Sequence, residues 1–169
     1  MTSGERAAVW AAIGASAVAL VARVTVPRAY LPLFQETGKA FGVDPALLRA
    51  LAWRESNFDP NAVGVKNRNG TRDYGLMQIN ESNFAALGLT SSDWNDPGAN
   101  LAAAAKLLVS IEKSNKSVSD TVAVYNAGPS SVAGRVGGPK LTASGDYVNQ
   151  AYVFDVWVRY FMVKLSGIL

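Results

Sequence analysis

Apolar and polar positions from Pro27 onward follow the spacing of short helices. Apolar residues recur at intervals of three and four, which places them on one face of a helix. Clusters of Pro, Gly, Asp and Ser separate these runs and are typical of helix ends and turns. Helices are predicted over residues 28 to 42, 44 to 56, about 81 to 87, 97 to 113, 119 to 127 and 145 to 165.

Capping residues support these boundaries. An Asp-Pro pair at residues 44 and 45, and a second one at residues 96 and 97, each place an N-cap acceptor before a proline in the first turn. Gly88 is typical of the left-handed residue that ends a helix, and Ser144 precedes the last predicted helix. Short helices with explicit ends in a chain of 169 residues indicate one mainly α-helical domain.

Polar and small residues dominate residues 57 to 75, where no helical spacing is visible. Their composition is that of a loop or a small β-ribbon, and the Asn-Gly pair at residues 69 and 70 predicts its hairpin turn. The predicted fold class is therefore mainly α, with a small β-ribbon or irregular lobe between residues 57 and 80.

Residues 7 to 22 form an uninterrupted apolar run between Arg6 and Arg23. The run is shorter than the roughly 20 residues that span a bilayer, and it suits the core of a signal peptide or a short membrane anchor. An ordinary buried helix is the alternative, because periodicity does not separate the two for so short a run. The chain is thus divided into an apolar N-terminal segment, residues 1 to 24, and a domain of residues 25 to 169.

The amino-acid composition excludes several classes of site. The chain has no Cys and no His, which removes disulfides, thiol nucleophiles, histidine-based triads and most zinc and haem sites. Any catalysis must use carboxylates, Tyr, Ser, Lys or the backbone, and neither a metal nor a cofactor is predicted. The net charge of +3 favours an anionic partner, but basic residues cluster only at residues 66 to 72, so nucleic acid is not the predicted partner.

Glu55 ends the apolar face of the second predicted helix. Leu48, Leu51 and Glu55 lie three and four residues apart, so the carboxyl group shares the face of the leucines. Apolar neighbours disfavour the charged carboxylate, which raises its pKa toward neutrality and lets it donate a proton as a general acid. The alternative is a solvated or salt-bridged glutamate at a frayed helix end, which is the commoner use of an isolated Glu.

Three sequence blocks follow one another along the chain: ESNFDPNAVG from residue 55, GLMQIN from residue 75 and AVYNAG from residue 123. In this order and spacing they resemble the signature blocks of lytic transglycosylases with a lysozyme-like fold, and the resemblance extends from about residue 40 to 155. DYVNQAYVF, from residue 146, resembles the tyrosine-bearing terminal helix of that family. NGTRDYGLMQIN is similar to the small specialised enzymes of conjugation and secretion systems and of some phages.

The resemblance implies a peptidoglycan lytic transglycosylase with Glu55 as the single catalytic acid and base. Such an enzyme cleaves the β-1,4 bond between N-acetylmuramic acid and N-acetylglucosamine and leaves a 1,6-anhydromuramoyl end, without a metal or cofactor. This substrate implies the periplasm or cell envelope, reached through the N-terminal segment, with a phage virion as the alternative. The implied partner is a secretion, conjugation or phage assembly, and residues 7 to 22 are the predicted membrane contact.

The resemblance also implies roles around Glu55. Ser56 would help to hold the glutamate or the substrate, and Tyr125 with Asn126 would face Glu55 across a groove. A phenol such as that of Tyr125 can hydrogen-bond a carboxyl group without adding charge, which would orient Glu55. The alternatives are a core aromatic at Tyr125 and a helix C-terminal turn at Asn126.

The GLMQIN block supplies the other implied substrate contacts. Gln78 offers donors and acceptors suited to the hydroxyl and acetamido groups of sugars. Gly75 would permit a close backbone approach or a positive φ, and Met77 would form an adaptable apolar wall. Packing alone is the alternative interpretation of both residues, and an equally good one for Met77.

Asp73 is the candidate second carboxylate, eighteen residues after Glu55. ESNF followed by NRNGTRDYGLMQINES also resembles the core of animal-type lysozymes, in which an aspartate at the matching place is the second carboxylate. The alternative functions are a muramidase that uses Glu55 and Asp73, or a non-catalytic wall-binding component of a phage or secretion assembly. AVYNAG and the missing cysteines favour the transglycosylase, and Asp73 beside Arg72 can also be a turn residue.

Overall fold

The computed structural model of the chain describes residues 27 to 114, 117 to 128, 130 to 132, 135 to 138 and 141 to 165. The predicted apolar segment, residues 7 to 22, and the predicted domain boundary at residue 24 lie outside this part of the chain. Within the described ranges, no helix is both long enough and apolar enough to cross a membrane.

Helices account for most of the described residues, as the apolar spacing predicts. They are α1 (Leu31–Phe41), α2 (Pro45–Ser56), α3 (Phe84–Leu87), α4 (Pro97–Glu112), α5 (Val118–Ala127) and α6 (Gln150–Leu165). Short 3-10 turns precede α1 at Arg28–Tyr30 and α3 at Glu81–Asn83. The prediction of a mainly α-helical fold is confirmed.

Two antiparallel ribbons connect the helices. The first consists of β1 (Asp73–Tyr74) and β2 (Ile79–Asn80), which pair Asp73 with Asn80 and Tyr74 with Ile79. The second consists of β3 (Ser130–Val132) and β4 (Arg135–Gly138), between α5 and α6, and it was not predicted. The first ribbon lies in the predicted lobe, so the lobe between α2 and α3 is confirmed as a small β element.

Helix α2 lies at the centre of the core. Every residue from Ala46 to Ala52 is buried, and both α1 and α6 pack against this helix. Apolar side chains that are fully buried include Phe34, Leu48, Leu51, Leu76, Ile79, Leu101 and Leu108. Because Leu76 and Ile79 belong to the lobe, the lobe and the helices share one hydrophobic core, and the lobe is held close to the end of α2.

The start of α2 is held by a predicted cap and by a contact with the end of α6. Asp44 Oδ1 accepts a hydrogen bond from Ala46 N at 2.8 Å, and Pro45 occupies the first turn. The other carboxylate oxygen of Asp44 accepts from Tyr160 OH at 2.8 Å and lies 3.0 Å from Lys164 Nζ. These contacts orient α2 against α6, and they thereby set the position of the residues at the opposite end of α2.

The last helix begins later than predicted. Helix α6 starts at Gln150, not at residue 145, and Ser144 lies in a turn before it. Gly145 has a φ of +87°, and Thr142 N donates to Asp146 O at 2.7 Å, which closes that turn. The Ser144 hydroxyl donates to Asp146 Oδ2 at 2.7 Å inside the turn, so it does not serve as a helix cap.

The chain turns at two places in the lobe, and one of them is the predicted one. Residues 75 to 78 join β1 to β2, and Gly75 supplies a positive φ of +79° in this connection. The Asn-Gly pair at residues 69 and 70 lies in an earlier turn, closed by Asn67 N donating to Thr71 O at 2.7 Å. The chain pairs across this turn, because Gly64 N donates to Asp73 O at 2.8 Å and Val63 forms an antiparallel bridge with Tyr74. The predicted hairpin turn at the Asn-Gly pair is therefore confirmed, whereas the turn at residues 75 to 78 was not predicted.

Candidate active site

Glu55 lies in the last turn of α2 and lines a groove of about 470 Å³. The residue is half-buried, and its Oε1 accepts a hydrogen bond from the phenol of Tyr152 on α6. Polar side chains of the lobe line one side of this groove: Asn67, Asn69, Asp73, Gln78 and Asn80. Tyr125 and Asn126, near the end of α5, line it as well. The buried helix thus delivers one carboxyl group to a polar cleft.

Burial raises the pKa of Glu55 from 4.5 to about 7. The hydrogen bond from Tyr152 and the positive charge of Arg54 act in the opposite direction, while the negative charge of Asp73 adds a smaller rise. The carboxyl group is therefore partly protonated near neutral pH, as the apolar face of α2 predicts. In that state it can donate a proton and afterwards hold the negative charge.

The phenol that contacts Glu55 belongs to Tyr152, not to Tyr125 as expected. Tyr125 OH donates instead to Met77 O at 2.8 Å, so it holds the backbone of the lobe. Burial and the negative charge of Glu55 raise the pKa of both tyrosines, so each phenol keeps its proton and remains a donor. Tyr152 stands in DYVNQAYVF, and its distance of 97 residues from Glu55 explains why spacing alone did not identify the pair.

Arg54 lies over the ring of Tyr152, a contact that was not predicted from the sequence. The guanidinium carbon lies 5.1 Å from the centroid of the Tyr152 ring, and Arg54 Nε lies 2.8 Å from Asp155 Oδ2. Asp155 also accepts from Arg159 Nε at 3.1 Å. Ion pairs of this exposure contribute little to stability, but together they restrict the rotation of the Tyr152 ring beside Glu55.

Ser56 connects the end of α2 to the lobe. Its hydroxyl donates to Leu76 O at 2.7 Å, with a longer bond of 3.3 Å to Ala52 O in the preceding turn. The expectation was that Ser56 would hold the glutamate or the substrate directly. The structure places the hydroxyl against backbone carbonyls, so Ser56 acts on Glu55 by fixing the distance between α2 and the turn that follows β1.

Gly75 and Met77 are buried and do not line the groove, which corrects the expectation that both contact the substrate. A Cβ at Gly75 would lie 2.5 Å from Asn100 Nδ2 and 2.6 Å from Trp94 O, and its φ of +79° also favours glycine. Met77 is 0% exposed and packs in the core. Both residues are therefore required by packing, which was the alternative interpretation of each, and the positive φ expected at Gly75 is present.

Asn100 holds the turn between β1 and β2, and sequence analysis missed it. This residue of α4 is 0% exposed, and its Oδ1 accepts from Met77 N at 2.8 Å. Its Nδ2 donates to Tyr74 O at 3.0 Å and to Trp94 O at 2.9 Å. The available signal was a single amide in the stretch ANLAAAAKLL, whose other residues are apolar except Lys106; a buried amide is unfavourable in a core unless its hydrogen bonds are satisfied.

Gln78 lines the groove, but its side-chain nitrogen donates hydrogen bonds to backbone carbonyl groups of the lobe. Nε2 donates to Ala62 O at 3.1 Å and to Gly75 O at 3.0 Å. Gln78 has a φ of +48°, and the other described non-glycine residues with positive φ are Asn57 at 54° and Phe58 at 65°, directly after α2. In the described part of the chain, the strained non-glycine residues thus lie in two segments near Glu55, the end of α2 and the turn between β1 and β2. Such strain is common at functional sites.

Asp73 shares the groove with Glu55, and hydrogen bonds hold its carboxylate in place. Oδ1 accepts from Asn80 Nδ2 at 2.7 Å, and Oδ2 accepts from Asn67 Nδ2 at 3.2 Å. No group of three or more acidic residues in the described ranges is arranged to hold a metal ion. Asp73 therefore organises the amides of the lobe and adds a negative charge on the same side of the groove.

Asn126 is exposed at the end of α5 and lines the groove, as expected. Its Oδ1 accepts from Asn149 Nδ2 at 2.9 Å, and the same nitrogen donates to Ala123 O at 3.1 Å. The contact ties the end of α5 to the segment before α6. The side-chain amide of Asn126 thus faces the groove from a fixed position.

Comparisons with known proteins agree with this fold. Residues 32–143 match the family described as "Transglycosylase SLT domain". The peptidoglycan transglycosylase gp16 of Escherichia phage T7 is 36% identical over 132 residues, which are 73% of this chain and 9% of the phage protein. The invasion protein IagB of Salmonella typhimurium (strain SL1344) is 28% identical over 145 residues, which are 83% of this chain and 82% of IagB.

A solved structure is similar to the fold as a whole. An inactive mutant of the lytic transglycosylase Slt from Pseudomonas aeruginosa superposes with a TM-score of 0.63 at 18% sequence identity. The superposition covers 83% of this chain and 24% of the Slt chain, so this chain corresponds to about a quarter of that enzyme. The family match spans more than half of the sequence and includes Glu55, and the protein therefore belongs to the transglycosylase SLT domain family.

Proposed function

We propose that this chain is a peptidoglycan lytic transglycosylase. It cleaves the β-1,4 bond between N-acetylmuramic acid and N-acetylglucosamine and leaves a 1,6-anhydromuramoyl end. The observation that supports this most is the half-buried carboxyl group of Glu55, with its pKa raised to about 7, in a polar groove. A group with this pKa can act as acid and then as base at neutral pH.

The reaction needs one proton carrier and no external nucleophile. Protonated Glu55 donates its proton to the glycosidic oxygen as the bond to C1 of the muramic sugar breaks, and the electron pair leaves with that oxygen. The Glu55 carboxylate then accepts the proton of the 6-hydroxyl group while O6 of the same sugar bonds to C1. Tyr152 donates a hydrogen bond to Glu55 and favours the ionised state that exists between the two steps.

Amide side chains suit the groove to a glycan strand. The side chains of Asn67, Asn69 and Asn126 line it. Their hydrogen bonds within the described part of the chain use Asn67 Nδ2, Asn69 Oδ1 and Asn126 Oδ1, so the other amide atom of each can serve a sugar as acceptor or donor. Sugar rings present hydroxyl and acetamido groups around their circumference, and such groups require both kinds of partner. The polar lining therefore supports a carbohydrate substrate over an apolar ligand.

The chemical form of the released ends tests the proposal. Purified peptidoglycan is digested with the protein, and the released muropeptides are analysed by mass spectrometry. We expect anhydromuramoyl ends, which weigh one water less than hydrolysed ends. Reducing muramoyl ends in their place would show hydrolysis, and the absence of any cleavage would leave only a wall-binding role.

A muramidase is the second candidate function, because Asp73 lines the same groove as Glu55 and its charge raises the pKa of Glu55. A retaining hydrolase requires a second carboxyl group close to the sugar, at about 5 Å from the acid. In the structure both carboxylate oxygens of Asp73 accept hydrogen bonds from Asn80 and Asn67. This arrangement favours a role in organising the lobe over attack on the sugar.

Asp73→Asn separates the two functions. We expect a loss of cleavage of less than about tenfold, because the variant keeps the shape of the side chain and loses only part of its hydrogen bonding. A hydrolase that depends on Asp73 would lose at least about a hundredfold. The rate of muropeptide release measures the effect. Asp59→Asn is the matched control, since Asp59 is exposed and, among the described residues, its side chain accepts a single local bond, from Asn61 N.

Tyr152→Phe should slow cleavage about ten- to hundredfold, because the carboxyl group loses the contact that orients it. The lost donor also stabilised the ionised form of Glu55, so the pKa of Glu55 should rise further above about 7. Cleavage needs protonated Glu55, and the alkaline limb of the rate profile should therefore move to higher pH. The measurement is the cleavage rate from about pH 5 to 9.

The control for Tyr152→Phe is Tyr160→Phe on the same helix. Tyr160 OH donates to Asp44, at the far end of α2, so its loss should leave the pH profile of cleavage in place. An alkaline limb that stays unmoved in Tyr152→Phe would contradict the assigned contact. Such a result would mean that Tyr152 has only a packing role.

We further propose that the protein acts in the periplasm or cell envelope, where its substrate lies, as part of a secretion, conjugation or phage assembly. Relatives that are a phage transglycosylase and an invasion protein support this placement. Residues 7 to 22 would export or anchor the domain of residues 25 to 169. Fractionation of cells that express the chain with and without residues 1 to 24 tests the role of the segment.

A further inference from the structure

The basic segment of the lobe, residues 66 to 72, is not explained by the reaction at Glu55. Asn67 and Asn69 line the groove, whereas Lys66 and Arg68, which alternate with them, are exposed to solvent. Within the described ranges, the ion pairs involve Arg54, Arg159 and Lys164 and include neither of these two cations. Two positive charges, each next in sequence to an asparagine that lines the groove, are therefore without an acidic partner in the described part of the chain.

The backbone that carries these two cations is well ordered by its own hydrogen bonds. Asn67 N donates to Thr71 O at 2.7 Å, and Gly70 N donates to Asn67 O at 2.9 Å. The side-chain oxygen of Asn69, Oδ1, accepts a hydrogen bond from Thr71 Oγ1 at 2.7 Å. The cations thus project from a fixed turn, which lowers the entropy lost when a partner binds.

Two apolar side chains lie beside the cations. Val65 is 86% exposed and Val63 is 50% exposed, which makes them two of the most exposed large apolar residues of the lobe. We use the name cationic rim for Val63, Val65, Lys66 and Arg68. The rim combines positive charge with aliphatic surface, and both are available to a partner from solvent.

The negative charges near the rim are already engaged inside the lobe. Asp73 accepts hydrogen bonds from Asn67 and Asn80, and Glu81 Oε1 accepts from Arg72 N at 2.8 Å. Arg72 Nη1 donates to Gly64 O at 2.9 Å, so this third cation of the segment serves the lobe itself. Lys66 and Arg68 remain to attract an anion to the groove edge.

We propose that the cationic rim binds the acidic peptide stem of peptidoglycan, the short peptide attached to the muramic sugar. This inference rests on the proposed function, which places that sugar in the groove beside the rim. The stem carries free carboxylates and alanine methyl groups, which match the charges of Lys66 and Arg68 and the aliphatic surface of Val65. Because stem and strand are covalently joined, even weak rim contacts act at a high effective concentration.

Binding of the Glu55→Gln protein to three forms of cell wall tests the rim without turnover. The forms are intact peptidoglycan freed of accessory anionic polymers, glycan strands stripped of stems by an amidase, and peptidoglycan whose stem carboxyls are converted to amides. Co-sedimentation measures the apparent affinity for each form. We expect the intact wall to bind about three- to tenfold more tightly than the stripped or amidated forms, and less so at high salt.

Lys66→Gln with Arg68→Gln should remove this preference for the intact wall. The matched control is Arg28→Gln with Lys39→Gln, which removes one Arg and one Lys at exposed positions that do not line the groove. We expect the control pair to keep the preference. Circular dichroism of both variants checks that the fold is unchanged.

Three results would overturn the rim proposal. Equal affinity of the unaltered rim for intact and stripped wall would show that the stem is not recognised. An equal loss of affinity in both charge-pair variants would indicate general attraction by net charge, and a preference that survives amidation would exclude carboxylate recognition. A failure to release anhydromuramoyl ends would instead overturn the proposed function, because the binding assay does not depend on cleavage.

Discussion

Replacing Glu55 with glutamine is expected to lower the release of anhydromuramoyl ends by at least about a hundred- to ten-thousandfold. Glutamine keeps the shape and volume of the side chain but can neither donate a proton to the glycosidic oxygen nor accept one from the 6-hydroxyl group. Both steps of the proposed reaction use this one group. The measurement is the rate of muropeptide release from purified peptidoglycan, followed by mass spectrometry.

Near-normal cleavage by Glu55→Gln would end the catalytic assignment of Glu55. Glu36→Gln on α1 is the control, because this exposed glutamate does not line the groove. If Glu55→Gln still binds the cell wall but no longer cleaves it, binding and catalysis are separated. If the parent protein also fails to cleave, the non-catalytic wall-binding role remains.

The same substitution should stabilise the fold at alkaline pH. The pKa of Glu55 is about 7 in the folded protein against an ordinary value of 4.5, so the folded state binds this proton more tightly than the unfolded state does. Stability is therefore lost as the pH rises from about 4.5 to 7, and the loss is complete above that window. Glu55→Gln should unfold with a free energy roughly 2–3 kcal/mol higher at alkaline pH, and with little gain in acid.

Denaturant unfolding of both proteins at acid and alkaline pH measures this difference. An equal stability difference at the two extremes would mean that the raised pKa does not describe Glu55. The expected trend would show that the fold tolerates an unfavourable buried carboxylate at the place where the reaction needs a proton donor.

Asn100→Ala is expected to destabilise the fold by about 3–5 kcal/mol. The substitution leaves the Met77 N–H group and the carbonyl oxygens of Tyr74 and Trp94 without their buried partner. It also frees the turn between β1 and β2, which packs against the end of α2. Cleavage should decline together with stability, because this turn sets the wall opposite Glu55.

Chemical denaturation measures the free energy of unfolding for Asn100→Ala, with Asn95→Ala as the control. Asn95 is exposed and donates one side-chain bond, to Asn61 Oδ1 at 3.2 Å, so its loss should change stability by less than about 0.5 kcal/mol. A cost for Asn100→Ala as small as that of the control would show that the amide does not hold the turn.

Local signals in the sequence were sufficient to predict those helix ends that are formed by contacts between neighbouring residues. Asp44 caps α2 and Asp96 caps α4, because each side chain accepts from a backbone N–H only two or three residues away. The hairpin turn at Asn-Gly was predicted correctly for the same local reason. The start of α6 was predicted wrongly, because several local turns are compatible with the residues before it and contacts with the rest of the chain select one of them.

In the candidate site, too, some residues were predicted from the sequence and others were placed only by the tertiary structure. Helical spacing places Glu55 on the apolar face of α2, and burial of that face raises its pKa. Its choice as the catalytic group came from the resemblance of the three sequence blocks to lytic transglycosylases. Tyr125 was assigned to the wrong contact, since the direction of a phenol at the end of one helix depends on how that helix crosses the others. Spacing within the chain carries no information on that angle.

What the sequence determined by itself was the helical class, the capped ends of α2 and α4, and one glutamate on a buried face. Only the tertiary structure decided which phenol reaches Glu55, which amide holds the opposite turn and which side chains border the groove. Tyr152 meets Glu55 across 97 residues, and Asn100 meets Met77 across 23. Such pairs form when separate helices pack on one core, so their geometry follows from the packing and not from local propensity.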